Sequence, residues 1–368
     1  MTSKSVILAG GGTGGHVLPI VAIAQALVAE GVSEEAIHFI ASARGPDRTL
    51  LEPLPFGATY VSGRGIQRSL KPRAICDNVV AAFGLLGAVG ATLFRVARWK
   101  PKVMVSAGGY AAFPGVVAAV ILRIPLVLVN IDAVPGAVHR IFGKFASASC
   151  VGFPGTDLPN AVVTGAPLSA SITGAERNAS TRRAAREHFG LGEGRVLGVV
   201  GGSLGARSIN RATMEFVAAG LGDVEVYHVA GRRDFDALEV ERRSLGAPAG
   251  YHLVPFELSM AELYLAADVI VARAGAMTVA ELAAVGVPAI LIPLPGAPGD
   301  HQTKNARALV DVGGAVLVND RELTGEKLSQ LLAELSEDRL DEMATASATL
   351  HTPDSAAMIA SVVARYVN

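Results

Sequence analysis

Apolar residues along this chain fall into short continuous runs, each followed by small or polar residues and then by apolar positions at helical spacing. Val6–Ala9 runs into Gly10-Gly11-Gly12-Thr13-Gly14-Gly15-His16, after which Ile20, Ile23, Ala24 and Leu27 recur on one helical face. That order spells strand, glycine loop, helix. Runs at Ile37–Ala41, Val103–Ser106 and Pro125–Asn130 predict further strands. The last contains Leu126-Val127-Leu128-Val129, continuous in the way of a parallel strand covered on both faces. The pattern restarts at Val196–Val200, which leads into Gly201-Gly202-Ser203-Leu204-Gly205-Ala206 and a helix carrying Ile209, Ala212 and Met214. Strands at Val224–Val229, Val269–Ala272 and Ala289–Pro293 follow, separated by helix-like stretches. The fold class is therefore α/β, with two βα domains of similar design joined near Val162–Pro167, where Gly165 and Pro167 punctuate the chain. The expected domains are 1–163 and 164–353, with a last helix over 354–368 able to pack back on the first.

At 368 residues the chain exceeds what one hydrophobic core usually organises, in keeping with two domains. Hydrophobic residues make up 51% and charged residues 18%, too apolar and too regular for disorder, and a formal net charge of −1 gives no global field for nucleic acid. Cys76 and Cys150 stand without CxxC or histidine spacing, which reads as two reduced, buried thiols and no metal centre. Met1–Ala9 lacks the apolar region and cleavage site of a signal peptide, so a cytoplasmic location is expected. Val79–Phe94 carries no charge, yet at about 16 residues it is shorter than the roughly 20 a bilayer needs. Lys71 and Arg73 precede it, and Arg95, Arg98, Lys100 and Lys102 follow. Such a segment either lies in the interface of an anionic membrane or is a core helix with a solvated basic end.

Three stretches carry chemistry. Gly10-x-Gly12-x-x-Gly15 matches the dinucleotide fingerprint, in which glycines let the backbone approach a pyrophosphate at a helix N-terminus. An NAD site needs an acidic residue about 20 residues further on. The sequence there is Ile40-Ala41-Ser42-Ala43-Arg44, which leaves only an NADP reading of that kind. The loop Gly201–Ala206 repeats the device in the other half; two such loops suit two phosphate-bearing ligands, although each alone also serves as a tight strand-to-helix turn. The third stretch is Arg273-Ala274-Gly275-Ala276-Met277-Thr278-Val279-Ala280-Glu281. Here Gly275 to Thr278 would open a helix with Glu281 in its first turn, where a carboxylate accepts two ribose hydroxyls or caps the helix. Asp300-His301-Gln302-Thr303-Lys304-Asn305 offers amide, imidazole and hydroxyl groups suited to a polyhydroxylated sugar, at the head of another helix.

At these residues the chain resembles the MurG family, bacterial transferases that add N-acetylglucosamine to undecaprenyl-pyrophosphoryl-N-acetylmuramyl-pentapeptide to make lipid II. The matches are Gly11-Gly12-Thr13-Gly14-Gly15-His16-Val17-x-Pro19, Gly108-Gly109-Tyr110, Gly201-Gly202-Ser203-x-Gly205-Ala206-Arg207 with Asn210, Arg273-x-Gly275-Ala276-x-Thr278-x-x-Glu281, and Asp300-His301-Gln302-Thr303-x-Asn305-Ala306. They occur in the family's order and span nearly the whole chain. The resemblance implies a GT-B architecture, two Rossmann-like domains with parallel sheets facing across a cleft. The acceptor would lie in the N-terminal, membrane-facing domain and UDP-N-acetylglucosamine in the C-terminal one. It puts Ser203, Ala276, Met277, Thr278, Glu281 and Gln302 on the donor, with Glu281 on the ribose; Arg207 and Asn305, in the same motifs, join that set. Gly12, Thr13, Gly14, Gly15 and His16, with Gly109 and Tyr110, would face the lipid pyrophosphate and acceptor sugar. The implied partners are UDP-N-acetylglucosamine, an undecaprenyl-linked acceptor and an anionic membrane surface, the protein sitting peripherally on the cytoplasmic face of the inner membrane.

Two segments depart from the family. Where it has His-Glu-Gln-Asn, this chain reads Val129-Asn130-Ile131-Asp132, so Asn130 takes the glutamate position in the acceptor set. Where it has Gly-Asn-Pro-Val-Arg, this chain reads Gly165-Ala166-Pro167-Leu168-Ser169, which leaves Arg207 or Arg273 to replace the missing arginine electrostatically. The implied reaction is a single in-line displacement at the anomeric carbon, giving an inverted, β-linked product. His16, titratable near neutral pH and set at the glycine loop, is the candidate base, with Asp132 in reserve. Helix N-termini and loop amides can carry the leaving diphosphate; no Asp-x-Asp metal pair ends a strand, and no cofactor is expected. Two other classes stay open: a related transferase acting on another lipid or hydrophobic acceptor, and a non-catalytic or epimerase-like nucleotide-sugar binder.

Overall fold

A computed structural model describes residues 4–62, 72–202 and 205–367, with the side chains of 72–83 left aside. The chain divides into two compact units, Met1–Ser169 with Asp354–Asn368, and Ala170–Pro353. Each is a parallel sheet covered by helices.

The first unit holds a seven-stranded sheet: β1 (Val6–Gly10), β2 (Ile37–Ser42), β3 (Gly57–Val61), β4 (Val103–Gly108), β5 (Leu126–Asn130), β6 (Ala148–Val151) and β7 (Ala161–Val163), in the order β3-β2-β1-β4-β5-β6-β7. Every pairing is parallel. The four central strands β1, β2, β4 and β5 are buried along their entire length, which is why they read as unbroken apolar runs: both faces lie under helices. The helix Pro72–Trp99 packs on Phe113–Leu122, and Ser355–Ala364 returns from the end of the chain to pack on Gly14–Ala29. There Ser361 Oγ donates to Glu30 at 2.9 Å, and Lys102 Nζ donates to the Val367 carbonyl at 2.5 Å. The unit boundary falls between Ser169 and Ala170, because Thr164 to Leu168 are buried in the first unit and Thr164 N–H still donates to the Val151 carbonyl at 3.0 Å.

The second unit repeats the design with β8 (Arg195–Val200), β9 (Val224–Val229), β10 (Tyr251–Val254), β11 (Val269–Ala272), β12 (Ala289–Leu291) and β13 (Ala315–Leu317), ordered β10-β9-β8-β11-β12-β13 and again wholly parallel. In both units the chain winds outward from the first strand, then crosses back to start the other half of the sheet. This doubly wound order creates a switch point between β1 and β4 in one unit and between β8 and β11 in the other. At such a point the loops leaving neighbouring strands diverge to opposite faces and open a crevice at the strands' C-terminal ends. Among the described residues, no helix is long and apolar enough to cross a membrane.

Candidate active site

Both glycine loops leave the strands that border the switch points. In the first unit, Gly11 and Gly12 take φ of +147° and +96° before the helix Gly14–Ala29 begins. Neither could carry a side chain: a Cβ on Gly11 would stand 2.0 Å from Asp47 Oδ2, and one on Gly12 would stand 2.6 Å from the Tyr110 ring. The buried Asp47 carboxylate fixes this loop, accepting from Gly12 N–H at 3.0 Å and Ser42 N–H at 2.7 Å. Burial pushes its carboxyl pKa upward, against the lowering effect of those amides. Tyr110 is tied to Ser42 through its hydroxyl, and Ser42 Oγ also accepts from Arg44 N–H at 2.9 Å.

Across the switch point, β4 ends at Gly108 and Gly109 follows it. A Cβ on Gly109 would lie 2.5 Å from the Gly11 carbonyl, so the two loops touch through backbone. His16, the third residue of its helix, lies over this contact, and its Nδ1 shares a hydrogen bond with Thr13 Oγ1 at 2.8 Å. In the tautomer protonated at Nδ1 the ring donates to Thr13, and Nε2 carries the lone pair that a base requires. His16, Gly12, Thr13, Gly109 and Tyr110 are thus gathered at the switch point of the first sheet.

Asn130 differs. It is 4% exposed, with its Oδ1 3.2 Å from His139 Nδ1 and its Nδ2 donating to the Asp132 carbonyl at 2.7 Å. Its amide is thus spent on the backbone and ring beside it. Asp132 lies partly exposed just beyond β5. Asp47 and His139 carry no motif in the sequence, and each meets partners more than thirty residues away.

In the second unit, Gly205 has φ +76°, and a Cβ there would stand 2.2 Å from the Ala230 carbonyl. The helix Arg207–Ala219 follows. Asn210, on that helix, is buried and bonds to the Ala230 carbonyl at 3.0 Å and to His228 Nε2 at 3.0 Å, anchoring the loop to β9. Ser203 lies outside the described residues. Arg207 points to solvent with 79% of its side chain exposed, 3.5 Å from Asp234.

Arg273 is committed elsewhere. Its guanidinium binds Asp320 at 2.5 Å, Ser208 Oγ at 2.8 Å and the carbonyls of Ile292 and Pro293, so it knits the ends of β11 and β12 to the glycine-loop helix. Its guanidinium is therefore held by the protein's own groups at the strand ends.

The helix after β11 starts at Ala276, which puts Glu281 in its second turn, not the expected first; a dipole-capping role is excluded. Tyr264 O–H donates to Glu281 Oε2 at 2.8 Å, while burial raises the carboxyl to about pKa 7. Ala276 and Met277 are buried at the helix start, with Thr278 partly exposed beside them. Gln302 Oε1 accepts from Leu294 N–H at 2.9 Å, which fixes its amide at the head of the helix His301–Asp311. Asn305, fully buried, donates to the Ala274 carbonyl at 3.2 Å and props the Arg273–Thr278 turn from beneath.

Residues 6–151 match the glycosyltransferase family 28 N-terminal domain, and residues 196–359 its C-terminal domain. The UDP-N-acetylglucosamine–N-acetylmuramyl-(pentapeptide) pyrophosphoryl-undecaprenol N-acetylglucosamine transferase of Burkholderia pseudomallei is 37% identical over 367 residues, covering 99% of this chain and 96% of that protein. The chain belongs to the MurG family. The crystal structure of Acinetobacter baumannii MurG superposes with a TM-score of 0.73 at 28% identity, over 98% of this chain and 99% of that one. The chain is accordingly a glycosyltransferase of GT-B fold. The UDP complex of S. aureus MnaA, at 13% identity and a TM-score of 0.69 over 99% of this chain and 97% of that one, shares the fold alone.

Proposed function

We propose that this protein transfers N-acetylglucosamine from UDP-N-acetylglucosamine to the 4-hydroxyl of undecaprenyl-pyrophosphoryl-N-acetylmuramyl-pentapeptide, converting lipid I to lipid II with inversion. The observation that carries the reading is full-length identity of 37% to a relative named for that reaction, with a glycine loop at each switch point.

In this reading the first unit takes the acceptor and the second the donor. The acceptor oxygen attacks the anomeric carbon as the bond from that carbon to the β-phosphate oxygen breaks. The electron pair leaves on UDP, and the hydroxyl proton passes to His16 Nε2, with Asp132 as the alternative base. Loop amides after β8 and the start of the helix Arg207–Ala219 meet the charge that develops on the diphosphate. Glu281 accepts the ribose hydroxyls, and the Gln302 amide reaches the sugar. UDP-N-acetylglucosamine is consumed as substrate.

A peripheral position on the cytoplasmic face of the membrane fits the side chains of the first unit. Leu86, Phe94, Ile121, Ile141 and Phe145 are between 49% and 69% exposed, on neighbouring helices that also display Arg95, Arg98, Arg123, Arg140 and Lys144. Lys144 Nζ lies 5.1 Å from the Phe145 ring centre. Apolar side chains among cations suit the boundary of an anionic bilayer.

The test is incubation of the purified chain with radiolabelled UDP-N-acetylglucosamine and lipid I, in parallel with diacylglycerol. Label in the lipid I product, lost in His16→Ala and retained in Asp132→Ala, supports both the acceptor and the base. Label only in diacylglycerol moves the enzyme to another acceptor. Conversion of the free nucleotide sugar without transfer makes it an epimerase-like protein.

A further inference from the structure

Beneath the acceptor crevice, five residues are linked by hydrogen bonds, with the donor and acceptor roles of the His139 ring set by its tautomer. Asn130 Nδ2 donates to the Asp132 carbonyl at 2.7 Å, so Asn130 turns its Oδ1, an acceptor only, toward His139 Nδ1 at 3.2 Å. The tautomer that satisfies this contact holds its proton on His139 Nδ1. Its Nε2 is left as an acceptor, and the neighbour at 3.1 Å is Ser106 Oγ, whose hydroxyl then donates to it. Ser106 Oγ in turn accepts from Gly108 N–H at 3.3 Å. Ser106, Asn130 and His139 are each no more than 4% exposed. The chain spans the end of β5 and the end of β4, the two segments that carry Asp132 and Gly108-Gly109. A Cβ on Gly108 would meet both rings, His139 Cε1 at 3.4 Å and His16 Cδ2 at 3.5 Å, so the relay ends directly under the candidate base.

We propose that His139 is a positioning residue for the acceptor site, locking the Asp132 segment to the Gly108-Gly109 turn through Asn130 and Ser106 and so holding the surface on which His16 and the acceptor hydroxyl meet. The inference rests on the acceptor role of the first unit proposed above. Burial keeps the His139 ring neutral, with its pKa lowered to about 4; the His16 charge adds to that effect and a hydrogen bond with the Ser106 backbone opposes it. The arrangement also gives a reason for asparagine at position 130. A carboxylate there has no N–H to offer the Asp132 carbonyl, so that link would break.

Two variants test it. His139→Leu fills the space but leaves Asn130 Oδ1 and the Ser106 hydroxyl unpaired. His139→Gln offers one donor and one acceptor in the same sense as the imidazole. The expectation is that His139→Leu raises the lipid acceptor KM or lowers kcat/KM for it about tenfold, the effect of stranding a buried hydrogen-bond partner, while the donor KM stays unchanged. His139→Gln recovers most of that loss, and Ser106→Ala, which cuts the relay without adding bulk, reproduces part of it. Equal activity in the Leu and Gln variants, or a donor KM that rises in step with the acceptor KM, overturns the proposal. Nitrogen-15 NMR of the imidazole gives a reading independent of turnover: His139 should show the Nδ1–H tautomer. The Nε2–H tautomer would break the relay even if the transfer reaction proves correct. An Nδ1–H signal in a protein that fails to label lipid I would leave the relay standing and reject the assigned reaction.

Discussion

Glu281 shows how one carboxylate is tuned. Burial raises it to about 7, and the Tyr264 hydroxyl, which donates to it, pulls the other way without matching that effect. Its proton is therefore half gone near neutrality. Because the folded value exceeds the ordinary 4.5, the native state binds more protons than the unfolded chain between pH 4.5 and about 7. The glutamate's contribution to stability is thus full below 4.5 and is lost as pH rises through 7. Its use to a ligand runs the opposite way, since an ionised carboxylate is the stronger acceptor of ribose hydroxyls. Affinity for UDP, measured by calorimetry, should rise severalfold from pH 6 to pH 8. In Glu281→Gln affinity should be weaker, by about 1–3 kcal/mol for a lost charged hydrogen bond, and flat across that range, while the melting temperature at pH 8 should increase. An unaltered pH profile in the variant would remove Glu281 from the donor site. Arg273 is a contrasting case at the same scale: two of its nitrogens are engaged by Asp320, Ser208 and two carbonyls, which leaves it to fasten strands together.

At the scale of elements, the glycine loops are set by backbone contact. Gly205 brings its Cα so close to the Ala230 carbonyl that a methyl group would collide at 2.2 Å, and φ of +76° adds strain of its own. Gly205→Ala should cost on the order of 2 kcal/mol or more in thermal or urea unfolding and weaken UDP binding. Gly84→Ala, on a helix position with nothing within 4 Å, should be neutral or stabilising. Equal stability of the two variants would mean that the loop yields freely. The central strands were legible because a parallel strand under two layers of helix must be apolar throughout. The buried β6, whose Ala148-Ser149-Cys150-Val151 is too small and polar to read as an apolar run, and the outer strands β3, β7, β10 and β13 are not predicted by that pattern. Those outer strands share a different reason. They are three to five residues long and largely half-exposed or exposed, so no apolar run marks them. The motif residues of the site were legible for a similar reason: glycine and a helix start leave a local signature. Asp47 and His139 leave none, since each also bonds to a partner, 35 and 33 residues away, that only the sheet brings near. Asn130 and Asn305 were visible as polar residues in motifs, but their burial, and hence their supporting role, belongs to packing.

Over the whole molecule, two properties follow from where side chains collect. Leu86→Glu and Phe94→Glu replace residues 66% and 69% exposed, so each should leave folding intact while reducing recovery with anionic vesicles on flotation. Unchanged recovery in the double variant would return that face to bulk solvent. The second property is acid sensitivity of the first unit. Burial holds His38 and His139 down to about 4, from an ordinary value of 6.5, with Lys4 and Arg95 adding to the effect at His38. Below pH 6.5 the unfolded chain takes up protons that the native unit refuses. Stability is thus fully present above 6.5 and falls as pH drops toward 4, by about 1.4 kcal/mol per histidine per pH unit. Asp47, pushed up by burial, opposes this trend as a single group, and the two histidines outnumber it. The chain contains one tryptophan, Trp99, whose ring centre lies 4.4 Å from that of His38. Its fluorescence therefore reports on the unit in question. The urea midpoint followed at Trp99 should fall steadily between pH 6.5 and 4.5, and His38→Gln should make that fall shallower by about one proton's worth of slope. A midpoint insensitive to pH, or a slope unaltered in the variant, would show that His38 takes up its proton without unfolding.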